Sequence, residues 1–232
     1  MKKITKKRKE ILKDIDLEKI YSLDEAVEII KKTAKSKFEE SVEIAMNLSL
    51  SSGKTDQSVR GVINLPNGIG KKIRIAVVAK DENAKKAKDA GADIVGDVDF
   101  IKDIEKGNID FDRLISTTDM MSEVGKLGQI LGPKGLMPNP KLGTVTNDVV
   151  KAISDAKKGQ VQFKNDKAGI VHAGIGKVNF DKIKIIENIK IFFDAVMKNK
   201  PENIKGSFVK KVSIASTMGL GVKLDIAELQ KG

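Results

Sequence analysis

Pro66-Asn-Gly-Ile-Gly-Lys-Lys-Ile-Arg-Ile-Ala-Val-Val-Ala79 separates two styles of sequence. Upstream, residues 41–50 alternate strictly. Val42, Ile44, Met46, Leu48 and Leu50 fall on one side, and Ser41, Glu43, Ala45, Asn47 and Ser49 on the other. Period-two alternation marks a strand with one face buried and one wet. After Pro66-Asn-Gly68, residues 73–79 are almost continuously apolar, as suits a strand covered on both faces in a parallel sheet. A helix over 83–90 ended by Gly91, a short strand around 92–95, a helix over 100–105 and a strand over 111–116 follow. Asn147 or Asp148 can cap a helix through Lys157, stopped by Gly159. Strands and helices alternating in this way argue for a small parallel α/β domain.

Outside this block the pattern differs. Residues 1–13 are Lys-rich and helix-compatible. Residues 21–34 read as a helix opened by the capping box Ser22-Leu-Asp-Glu25, with Ala26, Val27, Ile30 and Ala34 on one face. A turn over 51–58 leads to a strand over 60–65. Beyond Gly159 come short strands at 161–164 and 169–173 around Asn165-Asp166. Asp181 then caps a helix over 182–198, with Ile185, Ile186, Ile189, Phe192, Phe193 and Val196 on its apolar side. A period-two strand over 209–215, the turn Thr217-Met-Gly219 and a strand over 221–226 complete the chain. The simplest topology is an insertion. Residues 1–67 and 159–232 form a discontinuous α+β host domain, a split, antiparallel-type sheet with helices. Residues 68–158 form an inserted α/β, Rossmann-like three-layer domain. Insertion is tolerated because the ends of a domain often lie close together. The two crossings, near 66–70 and 158–160, are expected to act as a hinge.

Composition narrows function. The 232 residues contain no Cys and one His, so no disulfide framework, thiol nucleophile or His-based metal site is expected. No apolar run reaches the roughly 20 residues of a membrane span, and a cytoplasmic soluble protein is the expectation. The net charge of +11 favours a polyanionic partner. Charges nearly balance within 68–158, so the excess falls to the two ends of the chain. One Tyr and no Trp suit a protein that reads structured RNA by shape better than one that stacks single-stranded bases. No nucleophile-elbow pattern surrounds any Ser, and no catalytic residue, metal site or cofactor is expected. Asp97 and Asp99 read as solvated.

Gly125-Lys-Leu-Gly-Gln-Ile-Leu-Gly-Pro-Lys-Gly-Leu-Met-Pro-Asn-Pro-Lys-Leu-Gly143 holds three of the chain's five prolines. Its apolar residues and its Lys126, Lys134 and Lys141, with no acid, describe an ordered, basic, irregular loop packed on a domain body. It is no phosphate loop. Gly128, Gly132, Pro133 and Lys134 have the wrong spacing, no Ser or Thr follows the Lys, and Pro stands where an N–H is needed.

The run Leu131-Gly-Pro-Lys-Gly-Leu-Met-Pro-Asn-Pro-Lys141 with Gly143-Thr-Val145 resembles the signature of the L-one family of large-subunit ribosomal proteins. Ser36-Lys-Phe-Glu-Glu-Ser-Val-Glu43, Asp166-Lys167 with His172, and Ser216-Thr-Met-Gly219 match further stretches of that family. Leu220 departs from its pattern. The resemblance implies a non-enzymatic ribosomal protein, monomeric when free, anchored to stalk rRNA. It implies help in releasing deacylated tRNA from the exit site, and repression through binding its own operon's mRNA. It implies RNA-binding roles for Lys37, Phe38, Ser41, Glu43, Thr217, Met218 and Gly219, and for Lys167 and His172. Hydroxyls of Ser41 and Thr217 can reach ribose or phosphate, Phe38 and Met218 can pack on a sugar or base edge, and Gly219 permits backbone approach. Lys126, Lys134 and Lys141 either touch RNA or belong to a loop that braces the domains. The rival classes are a nucleotide-dependent α/β enzyme and a charge-driven nucleic-acid chaperone.

Overall fold

The computed structural model describes residues 18–50, 58–202, 204 and 206–230, together with Leu12, Ile15 and Asp16. The expected helix over 1–13 and turn over 51–58 lie outside these residues, apart from Leu12 and Ser58. The chain divides into two compact units, Met1–Gly70 with Val161–Gly232 and Lys71–Gln160. The first begins with β1 (Ile20–Tyr21), α1 (Leu23–Thr33), β2 (Ser41–Leu48) and β3 (Arg60–Asn64). Ser22 Oγ accepts from Glu25 N at 3.3 Å and caps α1, which buries Leu23, Ala26, Val27 and Ile30.

In the second unit β4 (Ile75–Val78) is central, with β5 (Ile94–Gly96) and β6 (Arg113–Ser116) parallel to it on either side. All four residues of β4 are buried, because helices cover both faces. On one side lie α2 (Asp81–Asp89) and α6 (Val149–Lys157), which join Ile75, Val77 and Ile115 in a core through Ala87, Val149, Ile153 and Ala156. On the other lie α3 (Val98–Glu105), α4 (Met121–Lys126) and the single turn α5 (Gly128–Leu131), packing on Ala76, Val78 and Leu114. The strand is shorter than the apolar run. Arg74 turns out to pair with Asp110, and its N–H goes to Asp112 Oδ2 at 3.1 Å. Asp148 Oδ1 caps α6, accepting from Lys151 N at 3.2 Å.

The first unit resumes at Val161, within β7 (Gln160–Lys164), and continues with β8 (Ile170–Lys177), α7 (Lys182–Lys198), β9 (Val209–Ser216), β10 (Val222–Leu224) and α8 (Ile226–Gln230). Its main sheet has the order β1-β10-β9-β2-β8, antiparallel except for the β1–β10 pair. The apolar residues of β2 join β8, β9, α1 and α7 in one core with Phe192 and Phe193. Burying each ring contributes about 1.5–3 kcal/mol. The pair β3–β7 meets α7, where Phe163 and Phe192 rings stand edge to face at 5.4 Å. Asp181 precedes α7 as expected, but its side chain makes no cap bond and reaches Lys184 Nζ at 3.5 Å instead.

Strand β8 carries a bulge. Val42 pairs with Gly176 and Glu43 with Gly174, so Ile175 is the extra residue. Its carbonyl accepts from Asn188 Nδ2 at 2.7 Å, and the same amide donates to Gly68 O at 3.1 Å. Asn188 is fully buried on α7, so a polar side chain in the core is accounted for by the carbonyl the bulge frees.

Candidate nucleic-acid interface

Antiparallel pairing places the start of β2 beside the end of β9, with Val42 opposite Ser216. One more rung follows, partly made by a side chain. Thr217 N donates to Ser41 O at 3.1 Å, and Ser41 N donates to Thr217 Oγ1 at 2.9 Å. The turn closes with Gly219 N donating to Ser216 O at 3.0 Å. A Cβ at Gly219 would fall inside contact distance of Ser216 Oγ. The turn's own packing therefore favours glycine while Ser216 Oγ keeps this rotamer, a reason that needs no RNA.

Beneath this rung lies Glu40, 3% exposed. Its Oε1 accepts from Ser36 N at 3.1 Å and its Oε2 from Met218 N at 3.1 Å. Burial pushes its pKa up, but bonds from Ser36 and Met218, with Ser216 beside it, outweigh burial and hold the carboxyl below its ordinary value. Ser216 Oγ is close enough to contribute, yet makes no hydrogen bond of good geometry. Around this buried anion the outer groups are exposed: Lys37, Phe38 at 54% and Met218 at 67%. Phe38 is thus no core residue. Lys177 Nζ donates to Ser41 Oγ at 2.9 Å, and Asn179 Nδ2 to Glu39 Oε1 at 2.9 Å. Leu220, 8% exposed, packs inward and leaves the outer edge to its neighbours.

From this edge the open face of the sheet runs along β2. Glu43 is exposed between Gly174 and Ala215, and Ala45 lies between His172 and Ser213. The small neighbours leave the carboxylate and the imidazole standing above a shallow floor. His172 Nε2 is 3.9 Å from Asp166 Oδ2. Asp166 Oδ1 accepts from Ala168 N and Ile170 N at 2.9 and 2.8 Å, shaping the turn that carries exposed Lys167. That turn lies at the far end of β2, where Leu48 N donates to Gly169 O. Lys37, Phe38, Ser41, Thr217, Met218 and Gly219 therefore share one edge. Glu43 and His172 follow along the face, and Lys167 stands apart. Two residues of this edge, Glu40 and Lys177, escape the sequence reading.

In the second unit the 125–143 stretch is built from helical turns. Leu127 and Leu131 are fully buried against Val124 and Met120, with Leu136 and Met137 packed beside them. Asn139 N donates to Thr144 Oγ1 at 2.8 Å, and that hydroxyl donates back to Asn139 O at 3.2 Å. These bonds close the Pro-rich segment on itself, with Gly135 and Gly143 at positive φ. Lys126 pairs with Glu123 at 2.6 Å, while Lys134 and Lys141 are exposed.

No group of acids and histidine among the described residues could hold a metal ion, and no described helix is long and apolar enough to cross a membrane. A cationic chain whose polar, internally locked sheet edge presents a phenyl ring and a thioether to solvent has the surface of an RNA-binding protein. Residues 30–220 match the ribosomal protein L1p/L10e family, and the chain belongs to that family. It is a ribosomal protein that binds large-subunit rRNA, in a family whose role is structural rather than enzymatic.

Proposed function

We propose that residues 1–67 and 159–232 act as the rRNA-binding domain and anchor the protein to the stalk of the large subunit. Residues 68–158 act as an inserted domain carried on that anchor. The observation that carries this reading is the locked edge formed by residues 36–41 and 216–219, in the more basic part of the chain. Lys37, Phe38, Ser41, Glu43, Thr217, Met218 and Gly219 are its contact groups. His172 extends the contact along the open face, Lys167 supplies a separate contact at the turn beyond it, and Lys177 adds a cation at the edge. On the ribosome the stalk so formed assists release of deacylated tRNA from the exit site. Off the ribosome, the same edge binds a similar fold in the operon's own mRNA and represses its translation. Competition between the two RNAs then sets repression.

Filter binding of stalk rRNA and operon mRNA fragments to Thr217→Val tests the shared edge. Loss of the bond from Ser41 N to Thr217 Oγ1, the side-chain half of the rung, is expected to weaken both complexes about tenfold, equivalent to about 1.4 kcal/mol. Weakening of one complex alone excludes a common surface.

A further inference from the structure

We propose that Glu40 is the positioning residue that makes this edge selective for one folded RNA. The inference rests on the RNA-binding reading above. A carboxylate in a polyanion-binding surface is unfavourable unless it performs another task, and at 3% exposure Glu40 does not meet a ligand. Its two oxygens instead hold two backbone N–H groups from segments distant in sequence, Ser36 and Met218. Charge-assisted bonds of this kind are roughly twice as strong as neutral ones. Phe38 lies between Ser36 and Glu40, both fixed by the same carboxylate, and Met218 is held by its own amide. The two exposed apolar contacts of the edge are therefore set relative to each other by one buried anion. Recognition of a folded RNA by contour needs such fixed spacing, because a mobile edge loses conformational entropy on binding. Glutamine is a poor substitute. Its amide NH2 is a donor and would face one of the two N–H groups.

The experiment compares the full-length protein with Glu40→Gln on two probes, the stalk rRNA fragment and an unrelated structured transcript of equal length. Electrostatics alone predicts that removing a negative charge strengthens both complexes. The positioning role predicts a selective effect. The stalk complex weakens at least tenfold, the unrelated transcript binds as tightly as before or more tightly, and the salt slope of the stalk complex is unchanged because no phosphate contact is lost. Equal changes for both RNAs overturn the proposal. Glu40→Asp keeps the charge on a shorter arm that cannot span both amides. It is read in the same way if Glu40→Gln fails to fold, and retained selectivity again overturns the role. Hydrogen exchange in the unsubstituted protein supplies an independent check, with slow exchange expected at Ser36 and Met218 and rapid exchange refuting the anchor. Absence of any stalk preference in the unsubstituted protein sinks the RNA-binding reading itself, so the two failures are distinct.

Discussion

Replacing Asn188 by Leu tests how the first unit accommodates its bulge. The side chains branch alike and leucine is the larger, so the change removes polarity without opening a cavity. Two donor contacts disappear, to Ile175 O at 2.7 Å and to Gly68 O at 3.1 Å. The Ile175 bond is buried, so its carbonyl cannot recover a partner from solvent. Stranding it costs about 1–3 kcal/mol. The Gly68 bond is only partly buried, and water can replace it at a loss of about 0.5–1 kcal/mol. The weak bond from Asn67 N to Asn188 Oδ1, at 3.4 Å, adds little. Against these losses, the added apolar surface returns about 1 kcal/mol. A net destabilisation of about 2 kcal/mol is expected, a large share of the 5–15 kcal/mol typical of a domain. The assay is built into the chain. Its single tyrosine, Tyr21, is in the first unit, 7% exposed, with its hydroxyl donating to Asp16 O, and there is no tryptophan. Tyrosine fluorescence in urea therefore follows that unit alone. With a slope of about 2 kcal/mol per molar, the midpoint should fall by about 1 M with the slope unchanged. A shift below about 0.2 M refutes the claim that the bulge carbonyl depends on Asn188.

Two further outcomes follow from the interface. Gly219→Ala is expected to cost about 1–3 kcal/mol through collision with Ser216 Oγ and to weaken rRNA binding, whereas adding Ser216→Ala restores much of both. If Gly219 instead serves close approach of RNA, filter binding will show no rescue. For Glu40 the folded pKa lies below the ordinary value, so its stabilisation is present above the ordinary glutamate pKa and lost as pH falls through the depressed one. The urea midpoint read by Tyr21 should fall across that acid range, and less steeply in Glu40→Gln. Glu28, whose pKa Lys182 lowers, acts equally in both proteins, so parallel curves would refute the assignment.

The alternation in β2 and the apolar run in β4 were legible because burial on one face or two writes itself directly into side-chain type. Much of the edge was legible from the same rule. The strand reading begins at Ser41 and so omits Glu40, one residue earlier. Its parity with Val42 and Ile44 points it inward, which is the signal that finds a buried acid. Lys177 is missed for another reason. Gly174 and Gly176 look like strand breakers, yet β8 runs through both to Lys177. A Cβ at Gly176 would press on the Phe180 ring at 3.1 Å, so that glycine serves packing rather than ending the strand. Helices α4 and α5 are not read because Gly125 and Gly128 argue against them. Burial of Val124, Leu127 and Leu131 overrides that local preference. The bonds between Asn139 and Thr144 depend on folded geometry and have no periodic signature.

The order in which the ribosome delivers this chain makes the second unit a folding aid for the first. Strand β2 pairs on one side with β9 and on the other with β8, so Asn47 waits for Ile170 and Lys211. At typical synthesis rates its apolar face has no partner strand for roughly 10 s. Within the second unit, Lys71 is tied to Asp112 at 2.6 Å and Gln160 O to Arg113 Nη2 at 2.8 Å, on adjacent residues of which the second begins β6. Once that unit folds, its entry and exit are held together. The chain separating β2 from β8 then shrinks entropically from roughly 120 residues to roughly 30, which lowers the closure cost by about 1 kcal/mol. Stalling the nascent chain once Gln160 has just cleared the exit tunnel, with β8 still inside it, should yield a protease-resistant second unit while β2 remains open to cleavage.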